Sequence, residues 1–451
     1  MIRTRFAPSP TGWLHIGGVR TALFSWLYAK NNNGEFLIRI DDTDTSRSTH
    51  EFSQSIISSL TRLGLSSDKK ITYQSERFDK YINKIEELLE KNYAYYDEIE
   101  ITEKTKDTNL DLQYKNRLNK PNHVIRFKNP KHKKIIVNDE IHGDINFDPK
   151  TFHDVVILRS NGIPTYNLTS VVDDIEFQIS HIIRGDDHLN NTAIQINLFN
   201  AFGANIPKFA HLPMIHGKDG KRLSKRHGAI DIKYFFDEGY LNEAIINYLA
   251  RTGWSHGDKE IFSTDELIEL FTLKRVTKSA AIFDHDKLNW LNQYYIKNMK
   301  IHDIRQMILP YMNQLNIKVQ DKEYLDKILE LGIEREFSLK KIAESLTYYF
   351  EENLSYDIEI INKFDKNLMI SILDKSIDKF GKTDFSKKDN LSKITKNICE
   401  ELNLKFSEVG PIIRFALTGK LKAPSIDDLS FILGFDKTLK RLNDLRLFSK
   451  A

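Results

Sequence analysis

The chain has 451 residues and a mass of 52.6 kDa, about three domains at ~150 residues each, which excludes a single small binding module. Its residues are 40% hydrophobic and 29% charged, enough to build several buried cores with soluble surfaces, which excludes a disordered chain. Lys plus Arg number 66 against 63 Asp plus Glu, a net charge of +3, so any polyanion-binding surface has to be local.

The first elements alternate. Thr4-Arg5-Phe6-Ala7 reads as a strand, Val19, Leu23, Trp26 and Leu27 recur at helical spacing, and Phe36 to Ile40 is a second apolar strand, together a βαβ unit. Tyr81, Ile85 and Leu88 mark one face of a further amphipathic helix. The stretch from Lys104 to Lys134 then carries ten Lys or Arg against Asp107 and Asp111, the strongest local charge excess in the chain. By itself, such a run reads as a solvated face.

Apolar density returns at Val155 to Leu158. The Asn161-Gly162 turn signal followed by Thr165-Tyr166-Asn167-Leu168 reads as a hairpin. Ile179 to Ile183 reads as a buried strand and Thr192 to Phe202 as a helix, so a parallel sheet resumes after an insertion and the first domain is split in sequence. Beyond about residue 300 the pattern is helix upon helix, as at Ile304, Met307, Ile308, Tyr311 and Met312. Ser425-Ile426-Asp427-Asp428 resembles a capping box opening the final helical stretch. Residues 301–451 hold 25 Lys or Arg against 24 Asp or Glu, so charge alone does not mark this half as an RNA binder.

Cys399 is the only cysteine, which fits a reducing compartment, and the Met1-Ile2-Arg3-Thr4-Arg5 start has no signal-peptide pattern; the expectation is a cytoplasmic protein. No apolar run reaches the roughly 18 residues of a membrane span.

Two loops carry chemistry. Pro8-Ser9-Pro10-Thr11-Gly12-Trp13-Leu14-His15-Ile16-Gly17-Gly18 joins the first strand to the first helix, where small residues let a ligand approach backbone N–H groups and the positive end of a helix dipole. Lys218-Asp219-Gly220-Lys221-Arg222-Leu223-Ser224-Lys225-Arg226-His227-Gly228 is a glycine-flanked basic loop, the composition a closing phosphate clamp needs. Each alone is a weak signal.

Together they resemble the two signatures of class I aminoacyl-tRNA synthetases, HIGH at His15-Ile16-Gly17-Gly18 and KMSKS at Arg222 to Arg226. The Arg5 to Gly12 run, Asp42-Thr43-Asp44, Thr165 to Leu168, Ile183 to Thr192 and Gly253 to Asp258 narrow the resemblance to the bacterial glutamyl-tRNA synthetase family. That resemblance implies an α/β Rossmann-type catalytic domain with a parallel sheet split by an insertion, followed by an all-α anticodon-binding half. The segments implied are 1–85 and 166–215 for the catalytic domain, 86–165 for the acceptor-stem insertion, 216–300 for a stem-contact region and 301–451 for the helical half.

The resemblance further implies ATP-dependent activation of L-glutamate to an adenylate and transfer to tRNA(Glu), with tRNA(Gln) open as a second acceptor. His15 and Lys225 are the catalytic phosphate-stabilising residues. The ATP site takes Pro8, Ser9, Gly12, His15, Gly17, Gly18, Arg222, Leu223, Ser224, Lys225 and Arg226, with Mg²⁺ accompanying the nucleotide. Arg5, Ala7, Ser9, Asp41, Tyr166 and Arg184 fall to glutamate, Arg184 with its planar fork being assigned to the γ-carboxylate. A structural salt bridge of Arg184 to Asp186 or Asp187 is the competing expectation. Arg335 is the candidate anticodon contact, against a surface ion pair with Glu334 or Glu336.

The sequence departs from the family pattern at three positions. Gly18 takes the fourth HIGH position, Asp41 stands where the family usually has Glu, and Arg222 takes the first KMSKS lysine. The insertion has Tyr93-Ala94-Tyr95-Tyr96-Asp97 where relatives carry a Cys/His zinc site, so no zinc is expected. A monomer is expected. The competing functions are glutaminyl-tRNA synthetase and a catalytically silent tRNA- or nucleotide-binding paralogue.

Overall fold

The computed structural model describes residues 1–44, 47–99, 114–132, 134–223 and 231–450. These residues fall into two compact units, one of residues 1–237 and 241–288, the other of 238–240 and 289–451. Among them no helix is long and apolar enough to cross a membrane.

In the first unit the strands are β1 (Arg3–Phe6), β2 (Glu35–Ile40), β3 (Thr72–Tyr73), β4 (Ala94–Glu98), β5 (His123–Phe127), β6 (Ile135–Asp139), β7 (Gly143–Phe147), β8 (Val155–Leu158), β9 (His181–Gly185) and β10 (Lys208–Leu212), with a short β11 (Ile215–His216) and β12 (Ala281–Ile282) beyond them. β1, β2 and β3 pair in parallel in that order, and β9 and β10 pair in parallel. β1 lies beside β9, the Ser180 N–H donating to the Arg3 carbonyl at 2.9 Å. Nearly every residue of β2 is buried, as expected of a strand covered on both faces by helices.

The helix Ile16–Asn31 crosses back over this sheet. It buries Val19, Ala22, Leu23, Trp26 and Leu27, and Lys30 in its last turn suits the negative end of the dipole. Tyr81, Ile85 and Leu88 lie fully buried on the helix Phe78–Glu90, as their spacing predicts, in a cluster with Leu168, Val171 and Phe199.

The insertion contributes to two sheets. β4, β5 and β8 form an antiparallel sheet, whereas the β6–β7 hairpin joins the catalytic sheet, β6 pairing with β10 through Asp139 and Phe209.

One expectation fails. Thr165 to Leu168 is not the second arm of a hairpin. The Asn161-Gly162 turn brings the chain back only as far as an antiparallel bridge between Leu158 and Pro164, and the helix Tyr166–Glu176 starts at once. Leu168, Val171 and Val172 supply its buried face, a 3.6-residue period that a four-residue window hides. The turn itself depends on Gly162: its φ is +86°, and a Cβ there would sit 1.9 Å from the Tyr114 carbonyl oxygen.

The second unit is helical over Ile301–Gln314, Lys322–Ile333, Leu339–Ser345, Lys366–Gly381, Ile394–Leu402, Phe406–Thr418 and Ile426–Lys450, the last broken at Gly434 where φ is +77°. The Ser425 box forms, the Asp428 N–H donating to Ser425 Oγ at 3.3 Å and the Ser425 hydroxyl to the Asp428 carboxylate at 2.6 Å. Buried Arg441 ties the unit together by donating to the carbonyls of Leu417, Tyr348 and Glu351.

Candidate active site

A cavity of about 270 Å³ opens where β1 and β9 end, the crevice at which an open α/β sheet reverses its strand order. Arg5, Ala7, Pro8, Ser9, Gly12, His15, Gly17, Gly18, Tyr166, Arg184 and Arg222 all line it, so segments more than 200 residues apart converge there. Leu223 is not on the wall, its N–H donating to the Ile215 carbonyl at 3.0 Å. Ser224, Lys225 and Arg226 lie outside the described residues, as does much of the basic run from Lys104.

His15 caps the helix Ile16–Asn31. Its Nδ1 accepts the Gly18 N–H at 3.1 Å, which leaves the proton of the neutral ring on Nε2 as a donor. Burial, and next the Arg222 charge, lower its pKa and favour that neutral form. A Cβ at Gly17 would come within 3.1 Å of the imidazole, and one at Gly18 within 2.9 Å of Leu14, so the glycines keep both ring and helix start accessible.

Behind the cavity lies a buried ionic network. Arg5 donates to both oxygens of Asp174 at 3.1 and 3.3 Å, and Arg39 binds Asp174 at 2.9 Å and Asp41 at 2.6 and 3.1 Å. Asp173 accepts from Gln74 at 2.8 Å, from Arg77 at 2.9 Å and from the Tyr81 hydroxyl at 2.9 Å. Burial would push the Asp174 carboxyl up, but Arg5 and Arg39 hold it below the ordinary carboxylate value. Asp41 goes the other way: burial raises it to about 6 despite Arg39. Asp41 is not on the cavity wall, and Arg39 occupies both its oxygens.

Arg184, 5% exposed, feels the charges of Asp174 and Arg5 but makes no direct bond to either. It makes no ion pair with Asp186 or Asp187, nor with any other described carboxylate within 4 Å. Its partners are the Tyr166 hydroxyl at 3.3 Å, Thr192 Oγ1 at 2.5 Å and His211 Nε2 at 3.4 Å. Burial lowers its pKa and the Arg5 charge adds to this, while Asp174, beyond ion-pair distance, opposes it only in part. An anionic group entering the cavity would supply a direct counter-ion.

Several lining residues escaped sequence reasoning: Trp13, edge-on to Phe52 at 5.2 Å, Arg20, Asp187, His188 and Met214. Asp187 meets Arg222 at 3.5 Å. His188 is pushed down to about 4, by burial first and then by Arg184, so it is neutral near pH 7 and its Nδ1 faces the Tyr166 hydroxyl at 3.2 Å. Arg20 and Arg39 had a readable signal, a cation within an otherwise apolar helix or strand, which requires a partner. Asp173-Asp174 inside Val171 to Ile175 is the same signal with opposite sign.

In the insertion, three of the described cations of the basic run are already paired: Arg117 with Glu86, Arg126 with Asp97 and Lys131 with Asp154. In the helical unit a second cavity, about 180 Å³, is lined by Arg335, Lys341, Lys420 and Lys422 together with Glu336 and Glu344, Lys341 pairing with Glu344 at 2.8 Å. Arg335 makes no ion pair with a described carboxylate within 4 Å, while Glu334 instead pairs with Lys297 at 2.6 Å.

The family of class I tRNA synthetases (E and Q), catalytic domain, matches residues 1–290, and the anticodon binding domain matches residues 303–446. The glutamate–tRNA ligase of Francisella tularensis subsp. novicida is 42% identical over 98% of this chain and 98% of that relative. Glutamate–tRNA ligase 1 of Coxiella burnetii is 41% identical over 98% and 97%. Among solved structures, a glutamate tRNA ligase from Elizabethkingia meningosepticum in complex with its amino acid superposes with a TM-score of 0.81 at 31% identity, covering 99% of both chains. The glutamate-tRNA synthetase of Elizabethkingia anophelis gives 0.78 at 32%, over 98% of this chain and 99% of that one.

Proposed function

The chain belongs to the class I tRNA synthetases of the glutamate and glutamine branch, and from that premise we propose that it is a glutamate–tRNA ligase acting through the cavity between β1 and β9. An α-carboxylate oxygen of glutamate attacks the α-phosphorus of ATP, the bond to the β-phosphate oxygen breaks, and pyrophosphate leaves. The terminal ribose hydroxyl of tRNA(Glu) then attacks the acyl carbon and AMP leaves. Neither step needs a protein nucleophile, so positioning and charge carry the catalysis.

His15 donates from Nε2 to a phosphate oxygen, Gly17 and Gly18 admit the nucleotide, and Arg222 with Lys225 balances the phosphate charge. Mg²⁺ accompanying ATP would supply further charge stabilisation at its phosphates. Arg5, Ala7, Ser9 and Tyr166 shape the amino-acid end, and Asp41 acts indirectly, by fixing Arg39 and through it Asp174 and Arg5.

The observation that carries the reading is the uncompensated Arg184 guanidinium on the cavity wall. A γ-carboxylate matches its fork and neutralises it, whereas the amide of glutamine leaves it charged and partly unpaired. Arg335, on the wall of the second cavity, is the anticodon contact in this reading, and the enzyme works in the cytoplasm as a monomer. Charging of purified tRNA(Glu) and tRNA(Gln) with labelled glutamate tests it: acylation of tRNA(Glu) supports the assignment, acylation of both extends the acceptor range, and acylation of neither overturns it.

A further inference from the structure

Arg184 is aimed by a chain of hydrogen bonds that starts in the insertion. Asp139, at the end of β6, accepts the His211 backbone N–H at 3.0 Å and the His211 Nδ1 at 2.7 Å through one oxygen. Its other oxygen accepts the N–H groups of Ile141 and His142, each at 2.9 Å. His211 is fully buried on β10, and with Nδ1 donating to Asp139 its Nε2 carries a lone pair. Thr192 Oγ1 lies 2.8 Å from that lone pair and 3.3 Å from its other acceptor, the His188 carbonyl. The hydroxyl therefore gives its proton to His211 and turns its own lone pair to Arg184 Nη2, at 2.5 Å.

Each donation in this chain runs the same way, from Arg184 through Thr192 and His211 to Asp139. Arg184 Nε also faces the His211 lone pair, at 3.4 Å, and Nη1 faces Tyr166 at 3.3 Å. With the His211 lone pair taken by Thr192, the guanidinium is held through Nη2 by Thr192 and through Nη1 by Tyr166, which fixes its plane and directs its remaining N–H bonds. None of the three supporting residues lines the cavity.

We propose that Thr192 and His211, anchored by Asp139, are positioning residues that set the plane of the Arg184 guanidinium and thereby the preference for a side-chain carboxylate over an amide. The proposal rests on the reading of Arg184 as the γ-carboxylate partner. It makes the β6 end of the insertion part of amino-acid selection.

The test compares Thr192→Val, which removes the hydroxyl at nearly constant volume, with Thr192→Ser, which restores it. Amino-acid-dependent pyrophosphate exchange is followed for glutamate and glutamine, and the thermal midpoint is recorded alongside. Thr192→Val is expected to raise KM for glutamate about 10- to 100-fold and to lower the glutamate-to-glutamine ratio of kcat/KM to match, the range for losing a buried hydrogen bond to a charged group. KM for ATP should hold, and Thr192→Ser should recover most of the loss. If Thr192→Val does not fold, His211→Asn serves instead, keeping a donor toward Asp139 while cutting the link to Thr192; the same loss of selectivity is expected. Equal losses in the Val and Ser variants, or unchanged selectivity in Val, overturn the positioning role. Arg184→Ala separates this outcome from failure of the underlying reading: if it abolishes the glutamate preference while Thr192→Val does not, the chain fails and the Arg184 reading stands. If Arg184→Ala leaves the preference intact, both fall.

Discussion

Arg5 and Arg184 reach the same cavity from the ends of two strands, but only Arg5 arrives with its charge already neutralised. Both are 5% exposed, and Arg5 sits on Asp174 at 3.1 Å while Arg184 has no described carboxylate within 4 Å. Both line the cavity, Arg5 held by its own carboxylate and Arg184 able to meet an anion that enters. Deleting Arg184 should act on substrate choice. Arg184→Ala is expected to cost on the order of 3 to 5 kcal/mol in kcat/KM for glutamate and far less for glutamine, which gained nothing from the guanidinium. Parallel kinetics decide the matter, since equal losses for both amino acids would make Arg184 merely structural.

Lys225 lies outside the described residues, but its neighbour Arg222 stands on the cavity wall beside Asp187. Lys225→Ala is expected to slow adenylate formation by about 10² to 10³, the range for removing one transition-state donor, while leaving tRNA affinity nearly intact. Single-turnover activation and tRNA binding measured on the same variant check both halves. An unchanged activation rate would remove Lys225 from the mechanism.

Acid should destabilise the catalytic unit through its desolvated histidines. Desolvation lowers the pKa of His15, His181, His188 and His211 below the ordinary value, with His188 at about 4. Unfolded histidines titrate near 6.5, so between roughly pH 6.5 and 4 the unfolded chain binds more protons and stability falls with pH. Asp41, raised to about 6, opposes this, because the folded state takes up its proton first. Four groups against one leave a net loss. Three of the four tryptophans, Trp13, Trp26 and Trp254, lie in this unit, so fluorescence-detected unfolding should show a midpoint that drops from pH 7.5 to pH 5. A rise would mean that Asp41 dominates.

The insertion should hold no zinc. Its tyrosines are engaged elsewhere, Tyr95 with Asp154 at 3.1 Å and Tyr96 beneath the Lys120 ammonium, and it offers no thiolate. Elemental analysis of protein prepared without chelator should find far less than one zinc per chain. A stoichiometric, tightly held zinc would contradict this.

What the sequence disclosed was the part of the site that is local. The loop from Pro8 to Gly18 carries its ligand-facing glycines and its helix-capping histidine within one short stretch, so a single window displays them. The support of the site is not local. Arg39 is 135 residues from Asp174 and Asp139 is 72 from His211, and no spacing rule links such pairs. Asp41 illustrates this: its position in the chain suggests a substrate contact and says nothing of Arg39, which binds it at 2.6 and 3.1 Å. The Thr165 to Leu168 segment was misread for a related reason, since its helical period emerges only when Val171 and Val172 are included.

Everything above converges on the activation of glutamate in this one cavity. The most direct measurement is ATP–pyrophosphate exchange by the intact chain with glutamate or glutamine, each with and without tRNA(Glu). The account predicts exchange that requires ATP and glutamate, with glutamine far weaker. Exchange driven by glutamine in preference to glutamate, or none with either amino acid in the presence of tRNA(Glu), would contradict it.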